Sequence, residues 1–145
     1  MKQIAMLALA VGSLCGSVLC QSEAEFTGYY SGKRYDFRLT HEQLVNTPMW
    51  LEDEPNPPLS PREAENAALT YMRALFDNVS AWRVNEIKLV PLGERWIYVV
   101  SFTPPLPRDC RDCLTMPFSV VATMDGNAVT AVVSHWKPTT PPAVE

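Results

Sequence analysis

Residues 59–78, "LSPREAENAALTYMRALFDN", limit the fold more than any other stretch of this chain. Ser60 is a good N-cap, Pro61 fits the first helical position, and Glu63 stands three residues after Ser60 to complete a capping box. Ala64, Ala67, Ala68, Tyr71, Met72, Leu75 and Phe76 then recur at steps of three and four. That spacing puts them in one apolar stripe on an amphipathic helix, and such a stripe must be laid against another element. The small residues come first and the large ones last. The helix is therefore expected to approach its partner most closely near Ala64 and Ala68, with Leu75 and Phe76 buried further along.

The rest of the chain offers strands for that partner. Segment 81–92 carries Trp82, Val84, Ile87 and Leu89, and its phase slips after Val84, which predicts a bulge near Asn85 and Glu86. Segment 95–104 is rich in aromatic and β-branched residues. Segments 117–124 and 128–136 flank Asp125-Gly126, a tight-turn signal that predicts a closing hairpin. Upstream, 26–40 alternates Tyr35, Phe37 and Leu39 with Arg34, Asp36 and Arg38, as a strand does, and Gly28 and Gly32 mark turns or bulges. Residues 41–50 fit one short helical turn stopped before Pro48, and "LEDEPNPP" (51–58) reads as a linker. The expected fold class is α+β: one amphipathic helix packed on an antiparallel β-sheet meander. Trp96, Tyr98, Val100 and Phe102 share one face of their strand, yet Ile97 and Val99 make the other face apolar too. That second face needs a cover, either from segment 26–51 or from a partner.

The N-terminus, "MKQIAMLALAVGSLCGSVLCQSEAEF", has a positive start at Lys2, an apolar run from Ile4 to Val11 and small residues after it. This is the pattern of a secretory signal peptide over residues 1–24, cut after Cys20 or Ala24, so the protein is expected in the periplasm or outside the cell. Cys15 or Cys20 would suit a lipid anchor, but Leu14 and Leu19 precede them where a small residue is wanted. No other stretch has the length and apolarity of a membrane span. A formal net charge of −4 argues against a sequence-independent grip on nucleic acid, which needs a basic face.

Once the signal peptide is removed, two cysteines remain, Cys110 and Cys113, in "PPLPRDCRDCLTMP". A zinc site would have to gather both with His41 and His135, which have no ligand spacing. A redox pair favours a helix N-terminus, whereas this C-x-x-C lies between strands among prolines, with Arg108 and Arg111 offset by Asp109 and Asp112. The remaining reading is a disulfide that clips the loop and contributes at most about 2 kcal/mol. Pro104, Pro105 and Pro107 stiffen the same loop, and Leu106, Arg108, Arg111 and Leu114 form a candidate partner-binding set. Ser134 and His135 are sequence neighbours that a strand points to opposite faces, and no G-x-S-x-G or Gly-rich phosphate loop is present. No catalytic residue, metal or cofactor is expected.

A helix opened by "LSPREA", a strand beginning at Trp82, then "RWIYVVSF" and a turn in "MDGNAV" together resemble the PepSY-like group of small exported bacterial domains. The resemblance covers about residues 59–133 and implies a cystatin-like layout, one helix on an antiparallel sheet. It implies a non-catalytic module, in some members inhibitory or chaperoning toward a peptidase, with a protein or peptide partner in the cell envelope. The expected organisation is a signal peptide at 1–24, then a strand, short helical turn and acidic, Pro-rich linker at 25–58. The PepSY-like α+β domain follows at 59–136 and a disordered tail at 137–145. The alternative is a minor thiol–disulfide oxidoreductase using Cys110 and Cys113.

Overall fold

The computed structural model describes residues 22–106 and 115–136. Residues 1–21 of the expected signal peptide, with Cys15 and Cys20, the Cys110–Cys113 clip, the loop residues Arg108, Arg111 and Leu114, and the tail lie outside the described residues, whereas residues 22–24, the end of that expected segment, open the first strand.

Strands β1 (Ser22–Tyr30) and β2 (Lys33–Thr40) form an antiparallel hairpin, where the alternation of 26–40 suggested one strand. The reversal occurs at Ser31 and Gly32, both at positive φ (51° and 71°), as a two-residue type I′ turn requires. Gly28 is no turn. A Cβ there would stand 3.1 Å from the Phe118 ring, so this glycine lets a strand and an aromatic side chain approach closely. Thr40 then caps the short helix α1 (His41–Val45) through a capping box with Gln43.

Helix α2 (Pro61–Leu75) starts as its sequence dictates. The Glu63 amide donates to Ser60 Oγ (3.3 Å), and the Ser60 amide donates back to Glu63 Oε2 (2.9 Å). Ala64, Ala68 and Met72, one per turn, are fully buried. Leu75 and Phe76, expected to be buried against the sheet, are half-buried. The helix ends at Leu75, and Phe76 is an extended C-cap whose ring stacks on Trp82 (5.2 Å, 14° between planes).

After a 3₁₀ turn (Val79–Ala81) come β3 (Arg83–Leu92), β4 (Arg95–Thr103), β5 (Phe118–Thr123) and β6 (Ala131–His135). Strands β3, β4 and β5 make an antiparallel meander in that order. Its register shifts between Val84 and Glu86, which is the bulge predicted from the phase slip. The class is α+β, with one helix longer than two turns packed beside antiparallel sheets.

The last strand departs from expectation. Asp125-Gly126 does make a tight turn, with the Gly126 amide on the Thr123 carbonyl and the Val129 amide on the Val121 carbonyl. The hairpin stops there. Strand β6 instead pairs with β2, giving a second sheet in the order β1-β2-β6. One physical reason is visible where the strand begins: the Ala131 amide donates to the Tyr71 hydroxyl of α2 (2.7 Å), which draws the chain off β5.

A single core joins both sheets and α2. Its hub is Phe118, fully buried, with the rings of Tyr35, Phe37, Phe76 and Trp82 at centroid distances of 5.0 to 6.1 Å. Burying one such side chain contributes about 1.5–3 kcal/mol. On the meander, Tyr98, Val100 and Phe102 are buried on one face of β4, and Tyr98 donates to the Leu59 carbonyl (3.0 Å) just before α2. Ile97, on the opposite face, is also fully buried, so the chain itself covers it. Segment 47–50 reaches β4, where Arg95 donates to the Thr47 carbonyl (2.6 Å) and Trp50 meets Trp96 edge-on.

Candidate functional site

Three chain segments that are distant in sequence meet at one end of the molecule and leave a groove of about 640 Å³. Tyr29 and Tyr30, with the Ser31-Gly32 turn, form one wall. Pro104, Pro105 and Leu106, leaving β4, and Thr115 and Met116, approaching β5, form the other. Trp136, directly after β6, completes it.

Each position follows from local folding. The I′ turn brings the end of β1 beside the end of β6, because the Trp136 amide donates to the Gly32 carbonyl (3.0 Å). That bond sets the indole on the Tyr29 ring at 5.1 Å. Tyr30 is anchored from behind by Trp82 (4.6 Å) and Phe76 (5.1 Å), so this wall is fixed to the core. Prolines 104 and 105 restrict the backbone opposite. Against these walls three large apolar side chains stay open to water: Leu106 at 59%, Met116 at 69% and Trp136 at 44% exposure. The volume lies within the usual range for a ligand cleft, about 300–1,000 Å³.

The described lining contains no Asp, Glu, His, Lys, Arg or Cys. Its polar groups are hydroxyls, the Trp136 indole N–H and backbone amides and carbonyls, which orient a ligand by hydrogen bonds. The arrangement suits apolar side chains entering between aromatic rings and a methionine, a surface type that adapts its packing to the guest.

The carboxyl groups with displaced pKa values lie elsewhere and are structural. Burial acts to raise the Asp36 carboxyl, but hydrogen bonds from Arg34 (2.7 Å) and Thr27 (2.8 Å) outweigh it and hold it below the ordinary value. Burial likewise opposes ionisation of Asp125, and bonds from Thr123 and Asn127 reverse the balance. Asp36 ties β2 to Thr27 of β1, Asp125 closes its own turn, and a third carboxyl, Glu63, is held below its ordinary value by its bonds with Ser60 in the cap of α2. Burial raises the Tyr35 and Tyr98 hydroxyls, which belong to the core.

Of the binding set read from the sequence, the structure places Leu106 in the groove wall; Arg108, Arg111 and Leu114 lie outside the described residues, as do Cys110 and Cys113. His41 opens α1 and His135 ends β6. Among the described residues no group of three or more His, Cys, Asp or Glu is placed to hold a metal ion, and no helix is long and apolar enough to cross a membrane. Sequence reading missed Tyr29, Tyr30 and Met116, and saw Trp136 only as a strand residue. The available signal was "GYYSG", two aromatics before a turn, which marks a ring pair held at a hairpin end. No family model, curated protein or solved structure matches this chain.

Proposed function

We propose that this protein is an exported, non-catalytic binding module that takes an extended apolar segment of a protein or peptide in the groove beside Trp136. The observation that carries the reading is the gathering of Leu106, Met116 and Trp136, all solvent-exposed, around one cleft whose opposite wall is fixed to the core. Exposed apolar surface of this kind marks an interaction site more often than an accident of folding. The N-terminal leader supports export, and the PepSY-like resemblance supports a partner in the cell envelope, with inhibition or chaperoning of a peptidase as the implied role.

The test is an NMR titration of the protein with short apolar peptides, read at the Met116 methyl and the Trp136 indole. Both resonances should move, and Trp136→Ala should bind at least tenfold more weakly, the loss of about 1.4 kcal/mol. Peptides that shift neither signal, or that bind Trp136→Ala as well as wild type, break the reading. Turnover of a disulfide-containing peptide that disappears in Cys110→Ser would instead establish thiol–disulfide exchange.

A further inference from the structure

Strand β6 is an edge without the usual guards. Edge strands carry unpaired amides and carbonyls, and proteins normally block them with charge, proline or a bulge. Strand β3, the outer strand of the meander, has all three: Arg83, Glu86 and Lys88, Pro91, and the shift between Val84 and Glu86. Strand β6 reads Ala-Val-Val-Ser-His, carries no Asp, Glu, Lys, Arg or Pro, and leaves Val132 58% and Val133 45% exposed.

The backbone direction of β6 is determined. The Trp136 amide points toward the first hairpin, on the Gly32 carbonyl, and the Ala131 amide points away from β2, to Tyr71. By the alternation of an antiparallel ladder, Val132 and Ser134 turn their backbone groups to β2, while Ala131, Val133 and His135 turn theirs outward. Among the described residues β6 pairs with β2 alone, so the groups of Val133 and His135 face away from the sheet.

We propose that β6 is a homodimer seam, in which two copies of this chain pair their β6 strands antiparallel about Val133 and join their β1-β2-β6 sheets into one. The two Val133 residues exchange reciprocal bonds, and each His135 amide meets the second copy's Ala131 carbonyl. The Ala131 amide, held by Tyr71, ends the ladder. The two-fold axis sets Val133 against Val133, Val132 against Ser134 and Ala131 against His135, so no Asp, Glu, Lys or Arg faces its like across the seam. Like charges directly opposite are what destabilise such pairs. A second copy fits this edge better than a charged peptide does, since the strand offers no charge to complement. Val133 does not line the groove, so the inference stands apart from the binding reading.

The experiment is sedimentation equilibrium on the full chain, with Val133→Lys, Val133→Glu and their equimolar mixture. Wild type should dimerise. Each variant should be monomeric, because the axis sets its charge against itself, and the mixture should recover the dimer. Thermal melts check folding, and peptide titration of the Val133→Lys monomer should still shift Trp136 if the groove reading holds. Amide exchange supplies a second readout: Val133 and His135 should gain protection with concentration, while Val132 and Ser134 stay protected throughout. A monomeric wild type, a dimeric Val133→Lys, or protection of Val133 and His135 that persists at every dilution overturns the seam.

Discussion

The two sheets of this molecule handle exposure in opposite ways. In the β3-β4-β5 meander the central strand is apolar on both faces, and the edge carries charges, a proline and a bulge. In the β1-β2-β6 sheet Tyr35, Phe37 and Leu39 face the core, Thr27, Arg34 and Asp36 are bonded together on the other face, and the exposed apolar residues lie on β6 and at the groove. The meander keeps its central strand inside, and the other sheet leaves apolar residues of β6 open to water. The difference teaches that exposed apolar surface is set by where a sheet leaves its apolar residues and its backbone groups, beyond how many it has.

The largest test of this contrast is Phe118→Ala. Because Phe118 touches both sheets, its loss should cost about 3–5 kcal/mol, measured by urea denaturation. Unfolding should remain a single transition. A biphasic curve, with one sheet surviving, would mean that the contrast separates two independent units rather than two halves of one core. Gly28→Ala should cost less, about 1–3 kcal/mol, since the new methyl meets the Phe118 ring at 3.1 Å and the ring must shift. An unchanged melting temperature there would show that the sheets do not press on each other at this point.

Next in size is Ser60→Ala, which removes the cap of the helix that bridges the sheets and should cost about 1 kcal/mol. Thr40→Ala, in the same type of box on a helix of five residues, should cost less. Equal losses would show that α1 matters to the fold as much as α2.

The smallest effect concerns acid. The folded Asp36 carboxyl lies below its unfolded value, so its contribution is complete above about pH 4 and is lost as pH falls through the folded pKa. Asp125 acts in the same direction within the turn after β5. Asp36→Asn should therefore flatten the acid side of the stability profile. If the profile keeps its slope, the polar face of the β1-β2-β6 sheet is not where the acid sensitivity resides.

Local chemistry was the legible part of this sequence. Ser60 with Glu63, the slipped phase after Val84 and the Asp125-Gly126 turn each act within a few residues, and each is found in place. The pairing of β6 was not legible. It depends on β2 and on one hydroxyl, Tyr71, which meets Ala131 only after α2 has packed. The hairpin at Ser31-Gly32 was half-hidden, because serine seldom takes positive φ and so gives weak warning of a type I′ turn. The groove was the least legible feature. Its residues come from separate segments of the chain and share no period, so Leu106 was singled out for its proline neighbours while Tyr29, Tyr30 and Met116 passed as ordinary hydrophobic residues.

The pairing of Lys33 with His135 and of Phe37 with Ala131 links the hairpin of β1 and β2 to β6, the last of the described strands. Such long-range contacts are slow to form, because the whole intervening chain must be closed into a loop before they contribute. A chain emerging N-terminus first therefore has its meander and helix complete while one side of β2 still lacks its neighbour. In that interval Tyr35 and Phe37 sit beside an open ladder, so the chain is most prone to mispairing until β6 has docked, and a truncation before Ala131 would leave it in that state permanently.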